Sequence, residues 1–356
     1  MASTNNTQQT ISTKKLVNSV LGSIERERER EIISRRFGLF ERKETLEQIG
    51  ELLGITRERV RQLEKSVMGK LQLAGKNHSL SGIDDFEAKV LSILQGSGSV
   101  MRVSYLANKL VEGSDRNEQS RVAFLCNLCP DLIVIGDDDN YFASVADSKV
   151  FTEKTLKSAT AQVVDAVTKL GVPKPIVDIA KQAGIDNDEQ AEALAGISKH
   201  LATLNDQWGL IKWPLVNPKN IRDKIYVILK QNGRHMHFNE ISEAIKESDF
   251  KRKNVTTQAI HNELIKDKRF VLIGRGIYAL KEWGYKKGTV ADIIQEVLKE
   301  ANQPLHRDEI VKRVLKSRFV KETTILLNLQ GKPQFRRVAK ATYTLADTKQ
   351  DSALVS

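Results

Sequence analysis

"TLEQIGELLGITRERVRQLEKSVMGKL", residues 45–71, decides how the N-terminal part of this chain folds. Thr45 followed by Gln48 matches a capping box, in which hydroxyl and amide satisfy orphan backbone donors at a helix start. Leu46, Ile49, Leu52 and Leu53 then share one helical face. Gly50 lies near that face and permits close approach of a second helix. Gly54 suits the left-handed end of a helix, Ile55 can plug the turn, and Thr56 can cap the next helix. At about 100° per residue with Arg57 as origin, Arg61, Glu58 and Gln62 lie at about 40°, 100° and 140°. Leu63, Val67, Val60 and Leu71 lie at about 240°, 280°, 300° and 320°. The apolar set docks on the first helix, and the polar set is displayed outward from the N-terminal half of the second.

That is the geometry of a helix-turn-helix, whose second helix enters the major groove leading with its N-terminal residues. The residue types suit base reading. Arginine can bond guanine O6 and N7 in bidentate fashion, glutamine can bond adenine N6 and N7, and glutamate can accept from cytosine N4. A lysine-only face would suit phosphates without sequence choice, whereas this mixture suits sequence choice. The plainer alternative is a solvated face with charges paired along the helix. Turn, cap and spacing occurring together favour the reading helix.

"RRFGL" (35–39) followed by this stretch resembles region four of the sigma-70 family of bacterial sigma factors, over about residues 15 to 72. The resemblance implies recognition of the −35 promoter element and docking on the flap of RNA polymerase. It places the base-contacting positions on Arg57, Glu58, Arg61 and Gln62, with Thr56 and Arg59 near the phosphates. Sigma factors that act alone also need region two, which opens the −10 element. Nothing before Lys14 could supply it, and the later segments lack its aromatic-rich helix. The expectation is a sigma-like reader that does not open promoters by itself.

Beyond the linker-like "AGKNHSLSG" (74–82), one unit is repeated four times. Each copy opens with an amphipathic helix: "FEAKVLSIL" at 86, "TAQVVDAVTKL" at 160, "IRDKIYVIL" at 221 and "VADIIQEVL" at 290. A shorter helix follows, and each copy closes on alternating β-prone stretches such as "RFVLIGRGIYAL" and "QFRRVAKATYTL". Tyr141, Trp213, Tyr278 and Tyr343 take the same place in the four closing hairpins. The third and fourth copies align best, through "HFNEI" at 237 and "HRDEI" at 306. Three helices and a hairpin in about 65 to 70 residues make a winged helix, the hairpin being too weak to stand unpacked. With "GRGIYAL" and "HRDEI", residues 218–347 resemble HARE-HTH winged-helix modules, a type also seen in the delta subunit of bacterial RNA polymerase. The first two copies resemble it in outline.

The chain carries a net charge of +11, a balance that favours polyanionic partners, nucleic acid first. The charge is segregated. Residues 1–80 carry +5, 81–150 carry −5, 151–217 carry −1, 218–286 carry +7 and 287–356 carry +5. In the basic copies, Lys251, Arg252 and Lys253 precede the third helix of copy three, Arg275 stands at a wing tip, and Arg336, Arg337 and Lys340 make the last hairpin basic. These residues are candidates for DNA-backbone contact. Asp137, Asp138 and Asp139 in the first hairpin would repel phosphate, so that copy suits a protein partner.

Chemistry finds no foothold. Cys126 and Cys129 form one CxxC where a zinc ribbon needs four ligands, and read as core thiols of a reducing compartment. His237 with Glu240 and His306 with Glu309 recur at the same helix start, which argues for structure rather than metal or acid–base work. There is no nucleophile constellation, no GxxxxGK[ST] and no apolar run near the roughly 20 residues of a membrane span. No enzyme activity, cofactor, metal or small-molecule ligand is expected.

The expected fold is mainly α: a helix-turn-helix followed by tandem winged-helix modules with short β-hairpin wings. The expected parts are a disordered tail (1–13), the helix-turn-helix domain (14–73), modules at 83–150, 153–217, 218–286 and 287–347, and a second tail (348–356). The expected protein is a cytoplasmic, bacterial, DNA-binding transcription regulator that recognises a −35-like promoter element. Double-stranded DNA and RNA polymerase core are its expected partners, with no membrane. Two alternatives are an accessory, delta-like polymerase protein acting mainly through protein contacts, and the DNA-recognition subunit of a restriction or repair system.

Overall fold

Helix boundaries follow the caps written into the chain. A computed structural model describes residues 12–346 except 112, 251 and 253, and divides the chain into two units, Met1–Lys212 and Trp213–Ser356. Apart from Ser12 and Thr13 the two expected tails lie outside the described residues, or at their edge. The periodicity from Lys14 onward suggests one run, but α1 (Thr13–Gly22) and α2 (Glu27–Phe37) are separate helices. Gly22 weakens the helix there, and the Ser23 hydroxyl closes it by donating to the Val20 carbonyl at 2.7 Å. α3 (Leu46–Leu53) and α4 (Arg57–Lys76) follow.

Residues 74–82 are not a free linker. α4 runs into them to Lys76, and Leu80 is buried. Polar residues there face solvent, which gives the stretch its linker composition, while Leu80 anchors it. Next come α5 (Ile83–Gln95), β1 (Val100–Arg102), α6 (Val103–Leu110), α7 (Arg116–Cys126), β2 (Leu132–Ile135) and β3 (Ser144–Asp147). Leu16 and Val17 of α1, Ile33 of α2, and Val67 and Leu71 of α4 share one core with Phe86, Leu106, Phe124 and Val145. α7 packs on α1 and α2. Buried Glu118 of α7 accepts from Thr13 and pairs with Arg121, whose Nε donates to the Leu39 carbonyl at 2.8 Å. Gly75 of α4 lies so close to the Leu128 carbonyl that a Cβ there would come within 2.1 Å of it.

α8 (Glu153–Leu170), α9 (Ile176–Ala183), α10 (Asp188–Ile197), β4 (Leu201–Leu204) and β5 (Gln207–Leu210) complete the first unit. α10 packs on β1. The aspartate run of the preceding hairpin closes on this group: Lys199 pairs with Asp137 at 2.9 Å and its backbone N–H donates to Asn140 O at 2.8 Å. The Arg102 guanidinium lies 3.8 Å from the centre of the Phe142 ring. The acidic loop thus finds a basic partner inside its own unit.

The second unit contains α11 (Ile221–Asn232), β6 (Met236–His237), α12 (Phe238–Glu247), α13 (Thr257–Lys266), β7 (Phe270–Gly274) and β8 (Ile277–Leu280). It continues with α14 (Val290–Ala301), β9 (Leu305–His306), α15 (Arg307–Ser317), α16 (Glu322–Gly331), β10 (Phe335–Ala339) and β11 (Thr342–Leu345). The two groups are joined at β7, where Arg318 donates to Leu272 O at 2.6 Å and Phe319 N–H to Ile273 O at 3.2 Å. Phe319 also meets the His235 ring at 4.4 Å between centroids.

The hairpins do not stand alone. Antiparallel sheets run in the orders β1-β3-β2, β6-β8-β7 and β9-β11-β10, so a strand of two or three residues ahead of the second helix adds a third partner. β4 and β5 form a two-stranded sheet, with a single bridge from Lys174 to Trp208 in place of the third strand. The register corrects the hairpin alignment. Tyr278 pairs with both Met236 and Leu272, and Tyr343 with both Leu305 and Arg337. In the earlier copies those central places belong to Val145 and Trp208, not to Tyr141 and Trp213. Tyr141 instead bridges to Ser198, and Trp213 lies beyond β5. Side-chain type misleads there because any large apolar residue fills the central strand position.

Helix caps account for the recurring histidines. His237 Nδ1 accepts from Asn239 N–H at 3.3 Å while its own backbone N–H donates to Glu240 at 2.7 Å, and His306 Nδ1 accepts from Asp308 N–H at 3.4 Å. Cys126 and Cys129 are both free and buried, and burial pushes both thiols well above the usual thiol range. Among the described residues no helix is long and apolar enough to cross a membrane, and no group of three or more His, Cys, Asp or Glu is placed to hold a metal.

Candidate nucleic-acid interface

α3 and α4 meet through a turn that the sequence specifies residue by residue. The Thr45 hydroxyl accepts from Gln48 N–H at 3.2 Å, and Gln48 Oε1 accepts from Thr45 N–H at 2.9 Å. Gly54 ends α3 at φ 63°, and Ile55 N–H returns to the Gly50 carbonyl at 2.9 Å. A Cβ on Gly50 would come within 2.7 Å of the Ile55 carbonyl oxygen, so glycine is required by close approach. Thr56 then caps α4, its hydroxyl accepting from Arg59 N–H at 3.2 Å. Ile32, Ile49 and Val60 form the small buried core beneath, with Leu46, Leu53, Ile55 and Leu63 packed around it.

On the opposite face Arg57, Glu58, Arg61 and Gln62 are all exposed. They are not independent. Arg57 Nη1 lies 2.7 Å from Glu47 Oε1, across the turn on α3. Arg61 grips Glu58 with two bonds, Nε to Oε2 at 2.8 Å and Nη2 to Oε1 at 2.7 Å. Gln62 donates to Glu58 at 3.4 Å and accepts from Arg59 at the same distance. The Arg61 guanidinium holds the Glu58 carboxyl below its ordinary value, chiefly through this hydrogen bond. These contacts hold the donors and acceptors together at an exposed site, where solvent screens each pair. Glu47 was not singled out from the sequence, because it sits on the preceding helix and only the turn brings it to Arg57.

Orientation of the pair rests on α2. Arg28 donates to the Leu53 carbonyl at the end of α3. Arg36 reaches Glu64 of α4 at 3.2 Å, and Arg35 reaches Glu44 at 3.0 Å. A cleft of about 660 Å³ opens beside this exposed face, between the Ser23–Arg26 turn and the Arg59, Gln62, Ser66 and Lys70 side of α4.

The remaining sequence candidates fall in the second unit. Arg275 is exposed in the β7–β8 turn, and Arg336, Arg337 and Lys340 are exposed on and just after β10, with Arg337 Nε donating to Ala339 O at 3.1 Å. Arg252 is exposed between α12 and α13, while Lys251 and Lys253 lie outside the described residues.

A second turn of the same build went unnoticed in the sequence. "IVDIAKQAGI" (176–185) has the spacing of "LEQIGELLGI" (46–55), with Ala180 in place of Gly50. Gly184 ends α9 at φ 73°, Ile185 N–H returns to Ala180 O at 3.0 Å, and Asn187 caps α10 at Gln190 N–H, 3.1 Å away. Its charge is inverted: Asp188 and Glu192 stand where α4 has Arg57 and Arg61. The start of α10 is also taken up by packing, since a Cβ on Gly98 would lie 2.5 Å from the Glu189 carbonyl.

Comparison with known proteins falls on the first of these turns. Residues 26–73 match the family model described as sigma-70, region 4. RNA polymerase sigma factor sigB of Arabidopsis thaliana is 46% identical over 54 residues, 15% of this chain and 9% of that protein. RNA polymerase sigma factor RpoD of Helicobacter pylori, in strains ATCC 700392 / 26695 and J99, is 49% identical over 61 residues, 17% of this chain. The chain thus matches 9% of the length of these relatives. Residues 26–73 of this protein are a sigma-70 region 4 domain.

Proposed function

We propose that this protein is a DNA-binding transcription regulator that recognises a −35-like promoter element through α4 and modulates initiation. One observation carries the reading. A region 4 helix-turn-helix presents Arg57, Glu58, Arg61 and Gln62 together on the exposed N-terminal half of its second helix, opposite its buried face. Arginine, glutamine and glutamate are the side chains that discriminate base edges, and Thr56 and Arg59 flank them where phosphates would run. The repeats behind the domain are read as winged-helix modules, of HARE-HTH type at 218–347. Three helices packed on a small antiparallel sheet favour that reading. Arg275, Arg336, Arg337 and Lys340, with Arg252 and its neighbouring lysines, would add backbone contacts, and RNA polymerase core would be the protein partner. The role is recruitment or modulation by binding rather than chemistry.

In vitro selection of duplex DNA by the full chain, with and without RNA polymerase core, tests the proposal. Enrichment of a −35-like motif by the chain alone is expected. Recovery of a motif only when polymerase is present would transfer the role to an accessory protein, and no motif under either condition would refute the reading.

A further inference from the structure

α4, α7, α10, α13 and α16 each stand last in their helical group, the place from which a helix can read a groove. Three of them lack the means. α7 is packed on α1 and α2, α10 is packed on β1 and is acidic, and α16 contains no lysine or arginine and opens with exposed Glu322. α13 packs against α11, α12 and β7 of its own group. We infer that α13 is a second base-reading helix and that its text is A·T-rich duplex DNA.

The exposed face of α13 carries Gln258, Asn262, Ile265 and Lys266. Gln258 and Asn262 stand one turn apart, with Gln258 Nε2 donating to Asn262 Oδ1 at 3.0 Å. Their amides are thus held side by side, and each can give and take a hydrogen bond with adenine N6 and N7. Ile265 is 60% exposed, and contact with a thymine methyl group would cover it. The acid of this helix does not oppose the approach. Glu263 is half-buried and paired with Arg222 at 3.3 Å. Thr256 caps the helix at Ala259 N–H, so its N-terminus is ordered before DNA arrives. Arg252, ahead of α13, and Arg275, in the β7–β8 turn, are exposed in the same group, and residues 218–286 carry the largest positive charge of any segment, +7. The inference stands apart from the −35 reading, since it uses no residue of the first unit.

Selection from a random duplex library, run on the full chain, tests it. The wild-type protein is expected to enrich two blocks, one of them A·T-rich. Gln258→Ala with Asn262→Ala should lower preference for the A·T block by about tenfold or more while leaving the other block intact. Both positions are exposed on a helix, so the variant should fold, and an unchanged circular dichroism spectrum checks this. Leu327→Ala on α16 and Glu192→Ala on α10 should alter neither block. A wild type that enriches no A·T-rich block, or an A·T block that survives the double substitution, overturns the inference. Loss of the other block alone, on Arg61→Ala, leaves it standing. An A·T block without any −35-like block would sink the promoter reading and keep this one.

Discussion

Two glycines of α4 should respond in opposite ways to the same methyl group. Gly69 is exposed, with nothing within 4 Å of its would-be Cβ, whereas Gly75 is buried and its would-be Cβ falls 2.1 Å from the Leu128 carbonyl oxygen. In a helix interior alanine is favoured over glycine by about 1 kcal/mol, so Gly69→Ala should stabilise α4 by about that amount. Gly75→Ala must also part α4 from the turn after α7 by roughly 1 Å, against the cohesion of a close-packed core. Overpacking of this kind costs about 1 to 3 kcal/mol and outweighs the helical gain, which is smaller near a helix end. The Gln72 amide bond to Asn127 O, now 3.3 Å, would be lost with it. Because a chain of two units need not unfold in one step, the assay is hydrogen exchange of peptides covering 57–76 and 116–132. Protection should fall in both peptides for Gly75→Ala, by about 5- to 100-fold, and hold or rise for Gly69→Ala. If Gly75→Ala proved as well protected as Gly69→Ala, region 4 and the α5–β3 group would not share the core described above.

Other outcomes follow from the interface. Arg61→Ala should cost about 1 to 3 kcal/mol of DNA binding and relax base choice at one position, measured by competition among single-base variants of the selected site; unchanged preference would remove Arg61 from the reading set. Arg336→Ala should weaken all sequences alike and lower the salt slope by about 1, which binding isotherms at several salt concentrations would reveal. The Glu58 carboxyl, held down by Arg61, should titrate below the ordinary carboxylate range, so its pair with Arg61 persists above that range and is lost as pH falls through the lowered value. Carbon-detected NMR should follow this titration, and Arg61→Ala should move it back up.

Much of the region 4 site was legible because its signals are local. Capping box, αL glycine, cap and helical spacing all lie within residues 45–71, and each depends only on near neighbours in the chain. The split of α4 into a docking and a displayed face followed from the 3.6-residue period alone. The histidine caps were foreseeable as structural for the same reason. The second turn at 176–185 carried the same local signal, and its inverted charge hid it.

What the chain alone determined, then, are its turns, its caps, its segregated charge and the face that α4 displays. Tertiary structure decided which of those displayed faces stay available. Whether α7 and α10 face solvent or a neighbouring group depends on contacts such as Thr13 with Glu118, 105 positions apart, and Arg102 with Gly196, 94 apart. No local pattern encodes such pairings, since any amphipathic helix can bury its apolar face against several partners of similar shape. Packing selected one partner for each, and in doing so covered faces that the helical period alone leaves open.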